Sequence, residues 1–327
     1  MTAKRSNASP AAQDVSDAQA TETETSSFQH LEGIPQPILN HLRLLETGSN
    51  GPDFARFYLS PRIFAKNRQR FEDLSVRFDF HPRGIITFKM PSPAHWYHTR
   101  ALNRLFEQAL KNTRSNNQDQ VTQIVNDIQS NGDLVLSAEK CRFQPNGQFC
   151  HSNSRSPGLV FEVGFAQSTS SLKAKAKDII YNMEGEVTTV VCFDIAYPED
   201  GASTVFVYRA HYAQGEVKIK CDMEPTVFHT ASDGAVNPEK QLVLNLKDFA
   251  FPEVSNNWPS VPILIKFEAI AKARQDAQKE EKANKKALGG ESKYRMRTPS
   301  SSSGDSWPSS ISSAKSDPRD FSFQGED

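Results

Sequence analysis

Glu162 stands inside a short apolar run, Leu159-Val160-Phe161-Glu162-Val163, that follows a Pro157-Gly158 break. A run this short, bounded by turn residues, predicts a fully buried strand. A carboxylate within such a strand is costly unless it is paired or holds a cation. Two chemistries compete for it: an ion pair with a Lys or Arg of a neighbouring element, or a metal-binding acid at a strand end. Gly164 lets backbone or ligand approach closely. Gln167 and Ser168 then open a helix whose N-terminus favours anions.

Other residues could add to such chemistry. His95, His98 and Arg100 lie on the first turns of a predicted helix, and Glu107 lies further along it. Two histidines three residues apart could share a metal or simply pack. Lys173 and Lys177 are four residues apart on one helix face, while Lys175 lies elsewhere on that helix. They read as a solvated basic face or as a source of catalytic ammonium. The four cysteines, Cys141, Cys150, Cys192 and Cys221, show no CxxC spacing and read as reduced thiols. The chain carries no Walker loop, GxGxxG, GxSxG or HExxH, so nucleotide-binding, dehydrogenase and hydrolase-elbow readings lack their defining loops.

These side chains need elements to position them. Residues 35–46 and 60–74 predict helices, the second with Pro61 in its first turn. Residues 76–80 and 85–90 predict a hairpin around Pro82-Arg83-Gly84. A helix over 94–112 has one stripe of Ala101, Leu102, Leu105, Phe106 and Leu110. Residues 113–119 predict a loop, and 121–129 fit helix or strand. Leu134-Val135-Leu136 predicts a strand, and Pro145-Asn146-Gly147 a tight turn at positive φ. A helix over 168–183, capped by Ser168 or Thr169, turns Leu172, Ala176, Ile179 and Met183 to one side. Strands follow at 187–197, 205–212, 217–221 and 242–246. Pro262 then starts a final helix to about residue 288, dense in charge, with 9 basic and 4 acidic residues over 271–297. Such a run reads as a solvated helix end or as a nucleic-acid or nuclear-targeting patch. The order predicts an α+β or α/β core with a mixed sheet and at least one helix on each face.

The 327 residues carry a net charge of −1, so nothing in the overall charge favours nucleic acid or membrane, although a local basic groove is compatible with it. No run approaches the ~18 apolar residues of a membrane span, and no apolar leader segment opens the chain. An intracellular protein, cytoplasmic or nuclear, is expected. Residues 1–30 and 299–327 are poor in large apolar side chains and rich in Ser, Thr and acids, the composition of disordered tails that could recruit protein partners.

The stretch from Pro145-Asn146-Gly147-Gln148-Phe149 through Pro157-Gly158-Leu159-Val160-Phe161-Glu162-Val163-Gly164-Phe165-Ala166-Gln167-Ser168 resembles the fungal branch of the PD-(D/E)xK nuclease-like proteins. The helix and long apolar strand that follow continue the likeness, as does the 84–91 hairpin upstream; it spans roughly residues 75–275. It implies a restriction-endonuclease-like core over 31–270, with a charged helix and linker over 271–298. It also implies a metal-dependent phosphodiesterase acting on nucleic acid, using Mg2+ or Mn2+ on paired carboxylates. Position by position, Glu162 matches the second acid and Gln167 the Gln of the family's S-Q-S run, with Ala166 in place of the first Ser. Gly164 stands where the motif Lys would be, and Asn146 where the first Asp would be. An amide keeps an oxygen ligand but lacks the charge. Asp133 is then the candidate substitute acid, Lys173 or Lys177 the substitute for the missing motif Lys, and Glu107 a helix acid of the metal shell. Ser168, His95 and Arg100 are placed to meet substrate. A nuclease-like fold that binds without cutting is the alternative that Asn146 and Gly164 favour.

Overall fold

The computed structural model describes residues 31–287 apart from 47–53, 75, 91, 116–118, 133, 166–167, 198–200 and 214–215. The expected disordered tails, the 288–298 linker, Asp133, Ala166 and Gln167 lie outside the described residues.

An entry module comes first. Helix α1 (Gln36–Glu46), strand β1 (Phe54–Tyr58) and helix α2 (Pro61–Glu72) precede the hairpin β2 (Arg77–His81) and β3 (Ile85–Lys89). Phe64, Phe71, Phe78, Phe80 and Phe88 are all buried and pack ring against ring, so one face of this hairpin is an aromatic core. The long helix α3 (Pro93–Ser115) and α4 (Asp119–Asp127) follow. The polar 113–119 loop is therefore shorter than expected, and the ambiguous 121–129 stretch divides into the end of α4 and strand β4 (Ile128–Ser130).

Next come β5 (Leu136–Ala138), β6 (Cys141–Phe143), β7 (Gly147–His151) and β8 (Leu159–Gly164), then helix α5 (Thr169–Asn182) and β9 (Thr189–Asp194). Leu134 and Val135, expected in a strand, are exposed and precede β5. Asn146-Gly147 is not a positive-φ turn; it is a bend that carries the chain from one sheet to another. Gly147 is needed there for room, because a Cβ would lie 2.2 Å from the Phe161 ring.

Strands β10 (Ser203–Ala213) and β11 (Glu216–Thr230) form a long hairpin, followed by β12 (Gly234–Ala235) and β13 (Gln241–Asn245). A 3-10 turn (Leu246–Phe249) and the short α6 (Pro252–Ser255) lead to β14 (Pro262–Lys266) and the last helix α7 (Phe267–Ala287). The predicted helix from Pro262 thus starts five residues later. Ile263 and Ile265 are buried while Pro262 and Leu264 are exposed, a period of two that only a strand provides. Pro262 costs no interior ladder bond because it opens the strand.

The first sheet runs β1-β3-β2-β6-β5, and the main sheet runs β12-β11-β10-β9-β8-β7-β4. Every pair in the main sheet is antiparallel except β8 with β9, which the α5 crossover makes parallel. The fold is α+β, a curled mixed sheet flanked by helices, as the order of elements in the sequence predicts. All six residues of β8 are buried because both faces are covered. Phe161 stacks on Phe106 of α3, while Val160 packs with Leu172 and Ala176 of α5. Among the described residues no helix is long and apolar enough to cross a membrane.

Candidate functional site

Glu162 lies on the α5 face of β8, opposite Cys192 in the parallel register, and is 2% exposed. The α5 helix reaches it because Ser168 caps its first turn, accepting from the Ser171 N–H. Leu172, Ala176 and Ile179 then lock the helix to the main sheet. A second stripe of α5 meets the first sheet. Arg56 donates to the Ser171 hydroxyl, Lys175 pairs with Asp79, and His81 lies 3.1 Å from Asp178. The match is one of register: Arg56 and Asp79 both oppose Thr87, and His81 lies two residues beyond Asp79 on the same face. Ser171, Lys175 and Asp178 recur at helical spacing to meet them.

The centre of this sandwich is a buried charge network. The Lys175 ammonium contacts the Glu162 carboxylate and lies 3.2 Å from Asp79 Oδ2. Lys89, from β3, approaches the same Asp79 oxygen at 2.5 Å, and the Gln144 N–H donates to its Oδ1 at 2.8 Å. Burial would raise the Asp79 pKa, yet the ammonium groups of Lys175 and Lys89 outweigh it and hold the carboxyl well below the usual range. Burial opposes charge on Lys175 too, but the two carboxylates raise its pKa. Lys89, with Asp79 on one side and burial plus Lys175 against it, is lowered to about 8.

Asn146 and His95 adjoin this network. The Asn146 Nδ2 donates to His95 Nε2 at 2.8 Å, and its Oδ1 accepts from the Val163 N–H at 2.7 Å. Its amide is committed at both ends. Burial, then Arg77, Lys89 and Lys175, lower the His95 pKa to about 3, so the imidazole is neutral. Its ring packs on Phe165, 5.6 Å between centroids.

The sequence-predicted residues divide accordingly. Glu162, Asn146 and His95 come together. Lys173 and Lys177 face the β10–β11 side: Lys173 pairs with Glu224 at 3.2 Å, and the Lys177 ammonium lies over the Tyr208 ring. Arg100 pairs with Glu280 of α7 at 2.9 Å and stacks on Trp96. Glu107 accepts from Asn103 on its own helix. Ser168 is the α5 cap, and Asp133 and Gln167 are outside the described residues. His98 bonds the Ala94 carbonyl through Nδ1 and packs on Phe165 rather than sharing a ligand with His95.

The residues that sequence reasoning missed are Asp79, Lys89 and Lys175. Lys175 had a signal: it is three residues from Leu172 and four before Ile179, on the edge of the buried stripe. Asp79 had one too, as the single acid inside an alternating aromatic strand, Phe78-Asp79-Phe80.

A divalent metal does not fit the residues as they stand. Hard cations need free oxygen ligands. The Asp79 oxygens are taken by two ammonium groups and an N–H, Glu162 is paired, and the Asn146 oxygen holds backbone. Among the described residues no group of three or more His, Cys, Asp or Glu side chains is placed to hold a metal. A groove of about 420 Å³ lies between α3, β14 and α7, lined by Leu105, Ala109, Leu264 and Ala269 among others; none of Asp79, Glu162 or Lys175 lines it.

No family model and no curated protein matches the chain. Among solved structures it is similar to a protein described as a candidate nuclease belonging to DUF820, from Anabaena variabilis ATCC 29413. That likeness has 12% identity and a TM-score of 0.37, covering 63% of this chain and 97% of that one.

Proposed function

We propose that this chain is a nuclease-like protein of the PD-(D/E)xK type, of the fungal branch that residues 145–168 resemble, and that it holds nucleic acid without cutting it. One observation carries the reading: the two buried carboxylates, Asp79 and Glu162, are matched by two ammonium groups, Lys89 and Lys175. A charge-balanced, buried centre gives a divalent cation no charge to bind, and Asn146 adds none. Binding is supported by Arg56, an exposed cation that donates to Ser171 in the first turn of α5. A polyanion backbone is attracted to such an edge.

A second reading, the metal-dependent phosphodiesterase, is favoured by the convergence of Asp79, Glu162 and Lys175 from two sheets and one helix, the ingredients of an acid, acid and lysine site. The experiment that separates them incubates the purified chain with single- and double-stranded DNA and RNA, with Mg2+ or Mn2+, beside Glu162→Ala. The binding reading expects no cleavage and an affinity that falls with salt, with a slope on the order of −2 to −3 for about three phosphate contacts. Metal-dependent cleavage that disappears in Glu162→Ala establishes the phosphodiesterase instead. Absence of binding to all four substrates at low salt removes nucleic acid from the account.

A further inference from the structure

We propose that the open edge of the first sheet is a platform for single-stranded nucleic acid, with bases stacking on the exposed Tyr58 ring and Arg56, Arg62 and Arg83 holding the phosphates. This deepens the binding reading above and rests on it. Strand β1 ends its sheet and pairs with β3. Its residues alternate between two faces. Phe57 turns inward, against His41 and Phe88 of the aromatic core. Phe54, Arg56 and Tyr58 share the other face, so aromatic, cation and aromatic stand about 7 Å apart along the edge. The Arg56 guanidinium lies over the Phe54 ring, 4.9 Å from its centre, and stays exposed. The acids within its reach, Asp79 and Asp178, are already answered by Lys89, Lys175 and His81.

Single exposed aromatics are common on protein surfaces, but Tyr58 is held in place. It is 67% exposed, and its ring rests on the backbone of Gly84 in the β2–β3 turn. Gly84 has a φ of 81°, and a Cβ there would lie 2.9 Å from the ring and 3.0 Å from the Leu59 carbonyl. The Leu59 N–H donates to the Gly84 carbonyl at 2.8 Å, which ties the end of β1 to the turn. One part of the ring is thus seated on backbone and the rest is left to solvent. Ile85, opposite Tyr58 in register, is 39% exposed and extends the apolar surface. Exposed arginines flank the contact from both chain segments that make it: Arg83 precedes Gly84, and Arg62 follows Pro61, whose Cδ lies 3.4 Å from the same Cβ position. A fixed π-face stacks on any base, and cations beside it meet the backbone. A duplex keeps its bases covered, so the fit is to a single strand. Tyr212 supplies the contrast. Its ring also rests on a positive-φ glycine, Gly185, and it is 50% exposed, but burial and then the Glu186 carboxylate raise its pKa to about 12. An acid beside the ring disfavours phosphate.

The test titrates the full chain against fluorescein-labelled oligo-dT, oligo-U and a mixed-sequence DNA duplex, each of about 12 nucleotides or base pairs, and reads anisotropy at low salt. Wild type is expected to bind one or both single strands more tightly than the duplex, and the two arms distinguish DNA from RNA. Tyr58→Ala is expected to lose roughly tenfold in affinity, and Tyr58→Phe, which keeps the ring, to stay within about twofold of wild type. Arg56→Gln/Arg83→Gln is expected to weaken binding and to flatten the salt slope by about 1.4, the share of two phosphates on a single strand. Tyr212→Ala is expected to bind as wild type does. Circular dichroism checks that each variant is folded; should Tyr58→Ala unfold, Tyr58→Leu, which keeps bulk without a π-face, carries the same expectation. Wild type that binds single strands, with Tyr58→Ala unchanged or Tyr212→Ala equally impaired, overturns the platform and leaves the binding reading standing. Tighter binding to the duplex does the same. Wild type that binds none of the three probes overturns both.

Discussion

Two regions of this molecule bury charge, and they do so by opposite means. The Asp79–Lys175–Glu162 centre draws on β2, β3, β8 and α5, so each charge is answered by a side chain of another element. The second region lies under α7, where Arg274 is 3% exposed and donates to the Ala196 carbonyl, to Gln278 one helical turn on, and approaches His229 of β11. Glu281, equally buried, is held by Lys285 on its own helix and by the Tyr197 hydroxyl. The first region is neutral only when two sheets and a helix are assembled around it. The second is largely satisfied by α7 itself and by neutral acceptors it covers. Charge buried across topology ties layers together, whereas charge buried along a helix seats that helix.

The largest expected effect is therefore at Lys175. Lys175→Met keeps the aliphatic stem but leaves Glu162 without its cation, and a destabilisation of about 3–5 kcal/mol is expected in urea unfolding. A companion Lys175→Met/Glu162→Gln should recover part of that loss, because the uncompensated charge goes with it. A loss under 1 kcal/mol for the single variant would dissolve the contrast between the two regions.

Next comes Arg274→Ala. It removes hydrogen bonds to a strand-end carbonyl and to Gln278, at an expected cost of about 2–3 kcal/mol. Protection from hydrogen exchange should fall first in α7, with β8 and α5 little affected. A loss spread evenly over the main sheet would mean that the α7 cluster is as global as the other.

Why one region was half legible in the sequence and the other was not follows from the same contrast. Glu162 announces itself because an acid inside a short apolar run demands a cation of some kind beside it. Its ion-pair reading is what the structure shows, but the partner could not be named, since strand pairing and layer stacking set which lysine reaches it. The heptad-like stripe of α5 was visible through Leu172, Ala176 and Ile179; Lys175 sits at the seam of that stripe, where a lysine reads as solvated by default. On α7 the density of charge hid the burial of Ala271, Arg274, Ala277 and Gln278. The strand β14 was hidden for a different reason: Pro262 is as good a helix opener as a strand opener, and only the partner β13 decides. Asn146 matched a turn template by composition, yet its side chain is consumed in bonding Val163 and His95, which no local rule reveals.

The centre should also respond to acid. His95 is neutral in the fold, with a pKa lowered to about 3, while an unfolded histidine titrates near 6.5. The unfolded chain thus binds the proton first, so stability is fully present above about pH 6.5 and is lost as pH falls from there toward 3. Between pH 7 and 5.5 the His95 share of that loss is about 1 kcal/mol. His95→Gln, which can still accept from Asn146, should flatten the acid side of the stability profile by that amount. An unchanged slope would place the burden on His98, whose pKa burial also lowers.

The smallest effect marks the boundary between the two regions. Arg100 of α3 pairs with Glu280 of α7 at 2.9 Å, but the two side chains are 39% and 38% exposed, so water screens the attraction. Arg100 also lies over the Trp96 ring, an arrangement that survives loss of the ion pair. Glu280→Gln should therefore cost no more than about 0.5 kcal/mol, and that cost should vanish at 1 M salt, where the Debye length is about 3 Å. Arg100→Ala should cost somewhat more, about 0.5–1 kcal/mol, because it also removes the stacking on Trp96. If Glu280→Gln instead matches Arg274→Ala and persists in salt, α7 is held by its rim rather than by its buried arginine, and the second region is organised from the outside in.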